Sequence, residues 1–180
     1  KSPRAKSARS STYVDGLGRI IQTRQEIEDP AIFSVKDFKY DYSGLLESES
    51  LPYISNGGSK TAATANDNLY IKYSYDSIGR IKTVKNAVGT INYSYDDWKT
   101  TIMDAENNQK DYYNDAFGNL INVVEYNENT IYSTQYQYDL LGKLTQITDA
   151  LKNVQNFSYD GLGRRISMTA LRAQNDGTFG

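Results

Sequence analysis

Phe157-Ser158-Tyr159-Asp160-Gly161-Leu162-Gly163-Arg164-Arg165-Ile166 is the stretch whose reading decides the fold. Its aromatics stand two residues apart, so both rings leave the same face of a β-strand. Asp-x-x-Gly follows and reads as a tight turn. The carboxylate accepts backbone N–H groups two or three residues on, and glycine takes a positive φ at little cost. An arginine and a branched aliphatic then open a return strand. These residues predict one β-hairpin.

The same pattern recurs along the chain. Aromatic-x-Tyr-Asp stands at Phe38–Asp41, Tyr73–Asp76, Tyr93–Asp96, Tyr136–Asp139 and Phe157–Asp160. Asp-x-x-Gly completes four of these, ending at Gly44, Gly79, Gly142 and Gly163. Two looser copies run from Val14 to Arg19 and from Asn114 to Asn119. Self-similarity at roughly twenty to thirty-five residues marks a repeat architecture. The chain is therefore expected to be all-β, a series of antiparallel hairpins forming a curved sheet.

Composition narrows the function classes. The 180 residues suffice for one domain or part of a larger array, and the first residue is not Met, which predicts a fragment or processed product. Apolar content is low at 38%, but 16 tyrosines supply large rings whose hydroxyls stay wet or find partners. A net charge of −2 sets up no field that recruits nucleic acid. Cysteine is absent, which fits a bacterial or a cytosolic product. Histidine is absent too, removing the commonest general base and zinc ligand together. No apolar run approaches the roughly 18 residues of a membrane-spanning helix.

Taken in order, residues 1–12 carry cations and no acid and read as a basic connector. A nucleic-acid arm is the sharper alternative, but no aromatic interleaves the charges. Residues 13–55 form lead-in hairpins, with Asp29-Pro30 stopping one strand and Leu51-Pro52-Tyr53 closing the last. Residues 56–68 are small and polar, a loop insertion with a short helical turn at the alanines and the expected place for mobility or nicking. Residues 69–170 are the regular hairpin array, with further turns at 104–108 and 149–153, and residues 171–180 are a polar tail.

The return strands place aliphatics three apart, at Ile81 and Val84, Leu120 and Val123, and Leu144 and Ile147. Period two would split each pair between faces. A β-bulge inside each pair restores one face and bends the strand. A lone hairpin is marginal in water. Stability is therefore expected from burial of the aromatic rows between neighbouring hairpins.

These residues resemble the YD repeats of RHS-repeat proteins, the group containing bacterial RHS toxins, the B and C components of Tc toxin complexes, and teneurins. Tyr75–Ile81, Tyr138–Leu144 and Tyr159–Ile166 match the Tyr-Asp-x-x-Gly-Arg-Leu pattern, Asn114–Leu120 is a variant, and the turns at Asp104–Asn108 and Asp149–Asn153 are similar to the family's second turn without its proline. Tyr13–Thr23 and Leu51–Tyr53 look similar to the segment entering the repeats in Tc-toxin-B-like (SpvB-like) proteins. The resemblance implies a spiral, hollow β-shell enclosing a polypeptide, often a toxic C-terminal domain. It implies a secreted or surface-displayed bacterial protein whose partners are flanking repeats, the enclosed cargo and other toxin-complex subunits. The family's Arg-Tyr-Tyr-Asp-Pro-like strand and aspartyl self-cleavage site are absent, so no autoproteolysis carries over.

The residues singled out form a structural turn motif: Asp15, Gly18 and Arg19; Asp41 and Gly44; Asp76, Gly79 and Arg80; Asp115 and Gly118; Asp139 and Gly142; Asp160, Gly163 and Arg164. Repeated aspartates invite a glycosidase or calcium reading. Repetition argues instead that each serves its own turn, since an active site needs one constellation and a scaffold needs many copies. No catalytic residue, metal or cofactor is expected, and the chain reads as a structural segment rather than an enzyme. The cations after each Gly read as strand-edge charges that discourage unwanted pairing. Trp98 is the one ligand-stacking candidate, for carbohydrate, against a core or lid position that this reading favours. Asn92-Tyr93-Ser94 and Asn156-Phe157-Ser158 match glycosylation sequons but fall inside expected strands. The competing function is a carbohydrate-binding or adhesion module.

Overall fold

A computed structural model describes residues 8–128 and 130–173. The outer parts of the expected connector and tail, residues 1–7 and 174–180, lie outside the described residues. The chain forms two compact units, residues 1–91 and 92–180. Both are built from antiparallel strands, and the only helical element among the described residues is a 3-10 turn at Asp67–Leu69.

The first unit holds β1 (Ser10–Val14), β2 (Ile20–Glu26), β3 (Ile32–Tyr40), β4 (Leu46–Ser50), β5 (Tyr53–Asn56), β6 (Tyr70–Tyr75) and β7 (Ile81–Lys85). Their order is β1-β2-β3-β4-β6-β7. The long β3 pairs β4 through Phe38–Tyr40 and β5 through Ile32–Val35. The second unit begins within β8 (Thr90–Asp96). It continues through β9 (Lys99–Met103), β10 (Gln109–Asn114), β11 (Leu120–Asn127), β12 (Thr130–Tyr138), β13 (Leu144–Thr148), β14 (Val154–Tyr159) and β15 (Arg165–Leu171). Each of these pairs with the next in sequence.

Every Asp-x-x-Gly hairpin closes in the same way. The fourth residue's N–H donates to the Asp carbonyl and the Asp N–H to the fifth residue's carbonyl, as at Gly142→Asp139 (3.0 Å) and Asp139→Lys143 (2.9 Å). This is a three-residue loop ending in a left-handed residue, a connection whose twist suits antiparallel strands. Register then slips by one residue just beyond the turn. Tyr75 faces Ile81 while Ser74 faces Thr83, leaving Lys82 over. The slip repeats at Tyr13/Val14, Lys39/Tyr40, Tyr113/Asn114, Gln137/Tyr138 and Ser158/Tyr159. The extra residue lies inside each three-apart aliphatic pair, so Leu144 and Ile147 both lie opposite the tyrosines of β12, Tyr138 and Tyr136. The bulge is how the sequence's odd spacing becomes one face.

Burial corrects the expected location of the core. The ten paired aromatics are all half-buried, and the buried hydrophobics are Phe33 and Val35 in the first unit. A sheet whose main contacts run between paired strands offers each ring a lateral neighbour but no second layer. Most of the fully buried side chains are polar, among them Gln22, Arg24, Asp37, Ser50 and Asp111.

Residues 57–66 also differ from expectation. The alanines form no helical turn, and the segment is tied to the sheet. Gln22 Oε1 accepts from Thr61 N–H (3.2 Å), Arg24 donates to Thr61 Oγ1 (2.9 Å), and Asp37 Oδ2 accepts from Thr64 N–H (3.1 Å). Polar residues of β2 and β3 face inward and need partners, and this loop supplies them. Tyr53, expected to close a hairpin, instead starts β5. At the N-terminal side, Arg9 Nε reaches Glu26 Oε2 at 2.7 Å and β1 begins at Ser10, so the end of the basic stretch belongs to the sheet. Trp98 is 59% exposed and so is not in a core. It sits at a two-residue reversal between β8 and β9, with Asp97 at φ 47°, where side chains project past the sheet edge.

Candidate functional site

The chemistry-bearing residues gather at the turn ends of the hairpins. In each turn Asp Oδ1 accepts two backbone N–H groups, from the third and fifth residues; at Asp160 these are Leu162 (3.0 Å) and Arg164 (2.9 Å). Where the fifth residue is Arg or Asn, Oδ2 takes its side chain. Arg19, Arg80 and Arg164 each donate through Nε at 2.7 Å. Asn108, Asn119 and Asn153 donate through Nδ2 at 2.9, 2.9 and 2.7 Å. The arginines expected to act as strand-edge charges are thus clamps on their own turns. The clamp was missed because it needs the return strand to twist back over the loop. Its only sequence signal is Arg or Asn at the fifth place.

The turns at Asp104 and Asp149 share this geometry with Asn107 (φ 66°) and Lys152 (φ 68°) in the glycine's place. Gly142 sits at φ +74° with open space around a would-be Cβ, the nearest atom lying 3.9 Å away. Gly142→Val is therefore strained by backbone alone. It is expected to cost about 1–3 kcal/mol in a denaturant melt, and a neutral result would discredit the turn's strain.

The carboxylates are committed to these bonds. Asp104, Asp115 and Asp149 are held below the ordinary carboxylate range, first by the side chain of the following Asn. Asp160 is lowered first by the Arg164 backbone N–H and then by its guanidinium. At Asp76 burial pushes upward but the Arg80 side chain and backbone outweigh it. Such groups are ionised and fully engaged near neutral pH, the opposite of a poised acid. Among the described residues, no three Asp or Glu converge as a metal site would require.

The tyrosines join one hairpin to the next. Tyr40 OH donates to the Ile20 carbonyl (3.0 Å), Tyr75 to Leu46 (2.8 Å), Tyr138 to Leu120 (2.9 Å) and Tyr159 to Leu144 (2.8 Å). Each acceptor lies two residues past the turn's glycine, where the strand leaves its own partner before the bulge. Burial first, then Asp41, pushes the Tyr75 hydroxyl above its ordinary value, so it stays a donor. Cations of the preceding turn cover the rings. The Arg19 guanidinium lies 4.6 Å from the Tyr40 centroid and Lys143 Nζ lies 5.7 Å from that of Tyr159. Among the described residues of the second unit the ladder lacks a step at β10. There Asn114 replaces tyrosine and turns its amide onto Gly118 (3.0 Å), and the preceding β8–β9 reversal carries no bulge to receive a hydroxyl. Tyr138→Phe is expected to lose about 1 kcal/mol in thermal stability. Tyr136→Phe, whose hydroxyl makes no bond among the described residues, should be near neutral.

The second unit also holds a buried charge cluster that the sequence reading did not find. Asp111 is 0% exposed. Its Oδ1 accepts from Thr101 Oγ1 (2.8 Å) and Gln109 Nε2 (2.9 Å), and its Oδ2 from Lys99 Nζ (2.8 Å) and Tyr126 OH (3.0 Å). Burial alone would raise this carboxyl, but the four donors outweigh it and bring it to about 2.

This geometry defines a class: an array of antiparallel hairpins cross-linked rung to rung by tyrosine hydroxyls. The RHS Repeat family model matches residues 113–154 and 138–172. A domain of unknown function, DUF6443, matches residues 1–74. No curated protein matches the chain. Among solved structures it is similar to the TcdB2-TccC3-Cdc42 crystal structure, with a TM-score of 0.71 and 19% identity, covering 94% of this chain and 11% of that one. It is also similar to a Photorhabdus luminescens Tc holotoxin pore with a mutation in TccC3 (TM-score 0.64, 16% identity, 92% and 12% covered). The TcdB2-TccC3-TEV structure matches with a TM-score of 0.58 at 13% identity, covering 95% and 13%. The chain thus spans about a tenth of the length of these solved chains and shares their fold.

Proposed function

We propose that this chain is a non-catalytic wall segment of an RHS/YD-repeat shell that encloses a polypeptide, in a secreted or surface-displayed bacterial protein. The observation that carries the reading is the hairpin-to-hairpin ladder of tyrosine hydroxyls on bulge carbonyls. It ties four of the hairpins to an earlier one by a hydroxyl bond and so builds wall rather than pocket. Similarity to Tc toxin chains over nearly the whole length supports it, as do family matches to two separate stretches, 1–74 and 113–172. In this reading residues 13–55 lead into the array, 56–68 are an insertion packed onto it, and 69–170 are the array. The partners are flanking repeats, the enclosed polypeptide and other toxin subunits. Limited proteolysis of the whole protein carrying this segment tests it. An internal polypeptide should resist protease until the wall is opened by Gly142→Val combined with Tyr138→Phe and Tyr159→Phe. Equal digestion of that polypeptide in both proteins would refute enclosure.

A second reading, a carbohydrate-binding module, rests on the exposed indole of Trp98. Saturable binding on a glycan array that Trp98→Ala abolishes would favour it, and absence of binding would exclude it.

A further inference from the structure

The side chain just past a turn's glycine lies against the next hairpin. Arg19 Nη1 stands 3.6 Å from where a Cβ on Gly44 would sit, and Lys143 Nζ stands 3.2 Å from the same point on Gly163. From there each cation covers a ring of that hairpin, Arg19 over Tyr40 at 4.6 Å and Lys143 over Tyr159 at 5.7 Å. Leu45 reaches the same place at Gly79 (3.9 Å) with an apolar side chain. One position between successive turns thus sets a side chain over a tyrosine.

At Gly142 that position is only partly filled. Asn119 Oδ1 comes to 3.9 Å, and its amide is committed to Asp115 Oδ2 at 2.9 Å. Among the described residues Tyr138 has no cation over its ring. A groove of about 810 Å³ opens there, lined by Asn119, Tyr138, Asp139 and the exposed apolar tips Phe117 and Leu140. It carries the carboxylates of Asp115 and Asp139 and no Lys or Arg. Asp139 Oδ1 accepts from the Leu141 and Lys143 N–H groups. The Lys143 side chain leaves for Tyr159, so Asp139 Oδ2 has no bond among the described residues.

The groove therefore offers an aromatic face and a free carboxylate oxygen, with no positive charge of its own. Guanidinium fits this set better than ammonium, because it is planar, stacks on a ring and forks its N–H donors toward a carboxylate. The fold itself places such a group at this position over Tyr40. Phe117 and Leu140, 92% and 105% exposed, add apolar surface beside it. We infer that the groove binds an arginine side chain of a separate polypeptide. Its guanidinium stacks on Tyr138 and pairs with Asp139, and an apolar neighbour of that arginine rests on Phe117 and Leu140. The site holds whether or not the wall encloses anything.

The test is saturation-transfer NMR of the acetylated, amidated tripeptide Leu-Arg-Leu with the whole protein carrying this segment. Saturable binding is expected, about 10-fold weaker when citrulline replaces the arginine, since citrulline keeps the shape and loses the charge. Asn119→Arg should weaken binding by about the same factor, because the turn's own guanidinium then covers the ring. The fold accepts arginine at this place in the turns of Arg19, Arg80 and Arg164. Asp139→Asn should weaken binding about 5-fold, and asparagine can begin such a turn, as Asn86 does. No saturable binding by the native protein, equal binding of the citrulline peptide, or native-like binding by either folded variant would overturn the inference.

Discussion

Asp111→Ala is expected to destabilise the second unit by about 3 kcal/mol at neutral pH, one of the two largest effects predicted for a single substitution in this chain. The side chain is wholly buried and serves four donors, from Lys99, Thr101, Gln109 and Tyr126. Truncation strands all four. Lys99 is 32% exposed and can turn to water, which keeps the loss at the lower end for a broken buried pair. The effect should depend on pH with a definite sign. The native carboxyl titrates at about 2, against about 3.9 in the unfolded chain, so the native state holds the charged form more tightly. Its contribution is complete above about pH 4 and fades as pH falls through about 2. The stability difference between the native protein and Asp111→Ala should therefore shrink by about 2 kcal/mol from about pH 5 to pH 2. Urea melts of both proteins across that range measure it. A difference independent of pH would show that the carboxylate is not held as an ion.

The second large effect is at Arg24, 1% exposed in the first unit. Its Nη1 donates to Gln22 Oε1 (3.2 Å) and Thr61 Oγ1 (2.9 Å), and its Nη2 to Ser55 Oγ (3.2 Å), Asn56 O (3.2 Å) and Gly57 O (2.6 Å). Its guanidinium also lies 5.7 Å from the Phe33 ring centroid. Nε has no partner among the described residues, a cost the native fold already carries. Arg24→Ala removes the stem from beneath the loop and leaves five acceptors without their donor, which is expected to cost about 3–5 kcal/mol. Local opening should precede global unfolding, because the variant removes the bonds to Gly57 O and Thr61 Oγ1 that help hold the loop spanning residues 57–66. Protease should then cut within these residues in the variant and spare them in the native chain. Equal resistance would mean that Thr61 and Thr64 hold the loop without Arg24.

The polar clusters around Arg24 and Asp111 were invisible at the level of sequence, and the reason is distance along the chain. Arg24 meets Gly57 across 33 residues and Asp111 meets Tyr126 across 15. Nothing in a period-two pattern says that Gln22, Arg24 and Glu26 face inward rather than outward, because alternation names two faces and not which is covered. The covering segment is itself polar and irregular, so it reads as a free insertion. The turns are the opposite case: all of their hydrogen bonds close within five residues. Asp in first place and glycine in fourth are local requirements, and the one-residue slip beyond them is announced by aliphatics three apart.

Sequence alone therefore determined the all-β character, the hairpin repeat, the reversal points and the bulges, since each follows from neighbours a few residues apart. Tertiary structure decided which residues are buried, that arginine closes its own turn, and that the hydroxyls of Tyr40, Tyr75, Tyr138 and Tyr159 find the carbonyl of an earlier rung. Those contacts exist only when separate hairpins lie about 10 Å apart in one sheet, a spacing set by strand pairing and not by any single stretch of chain.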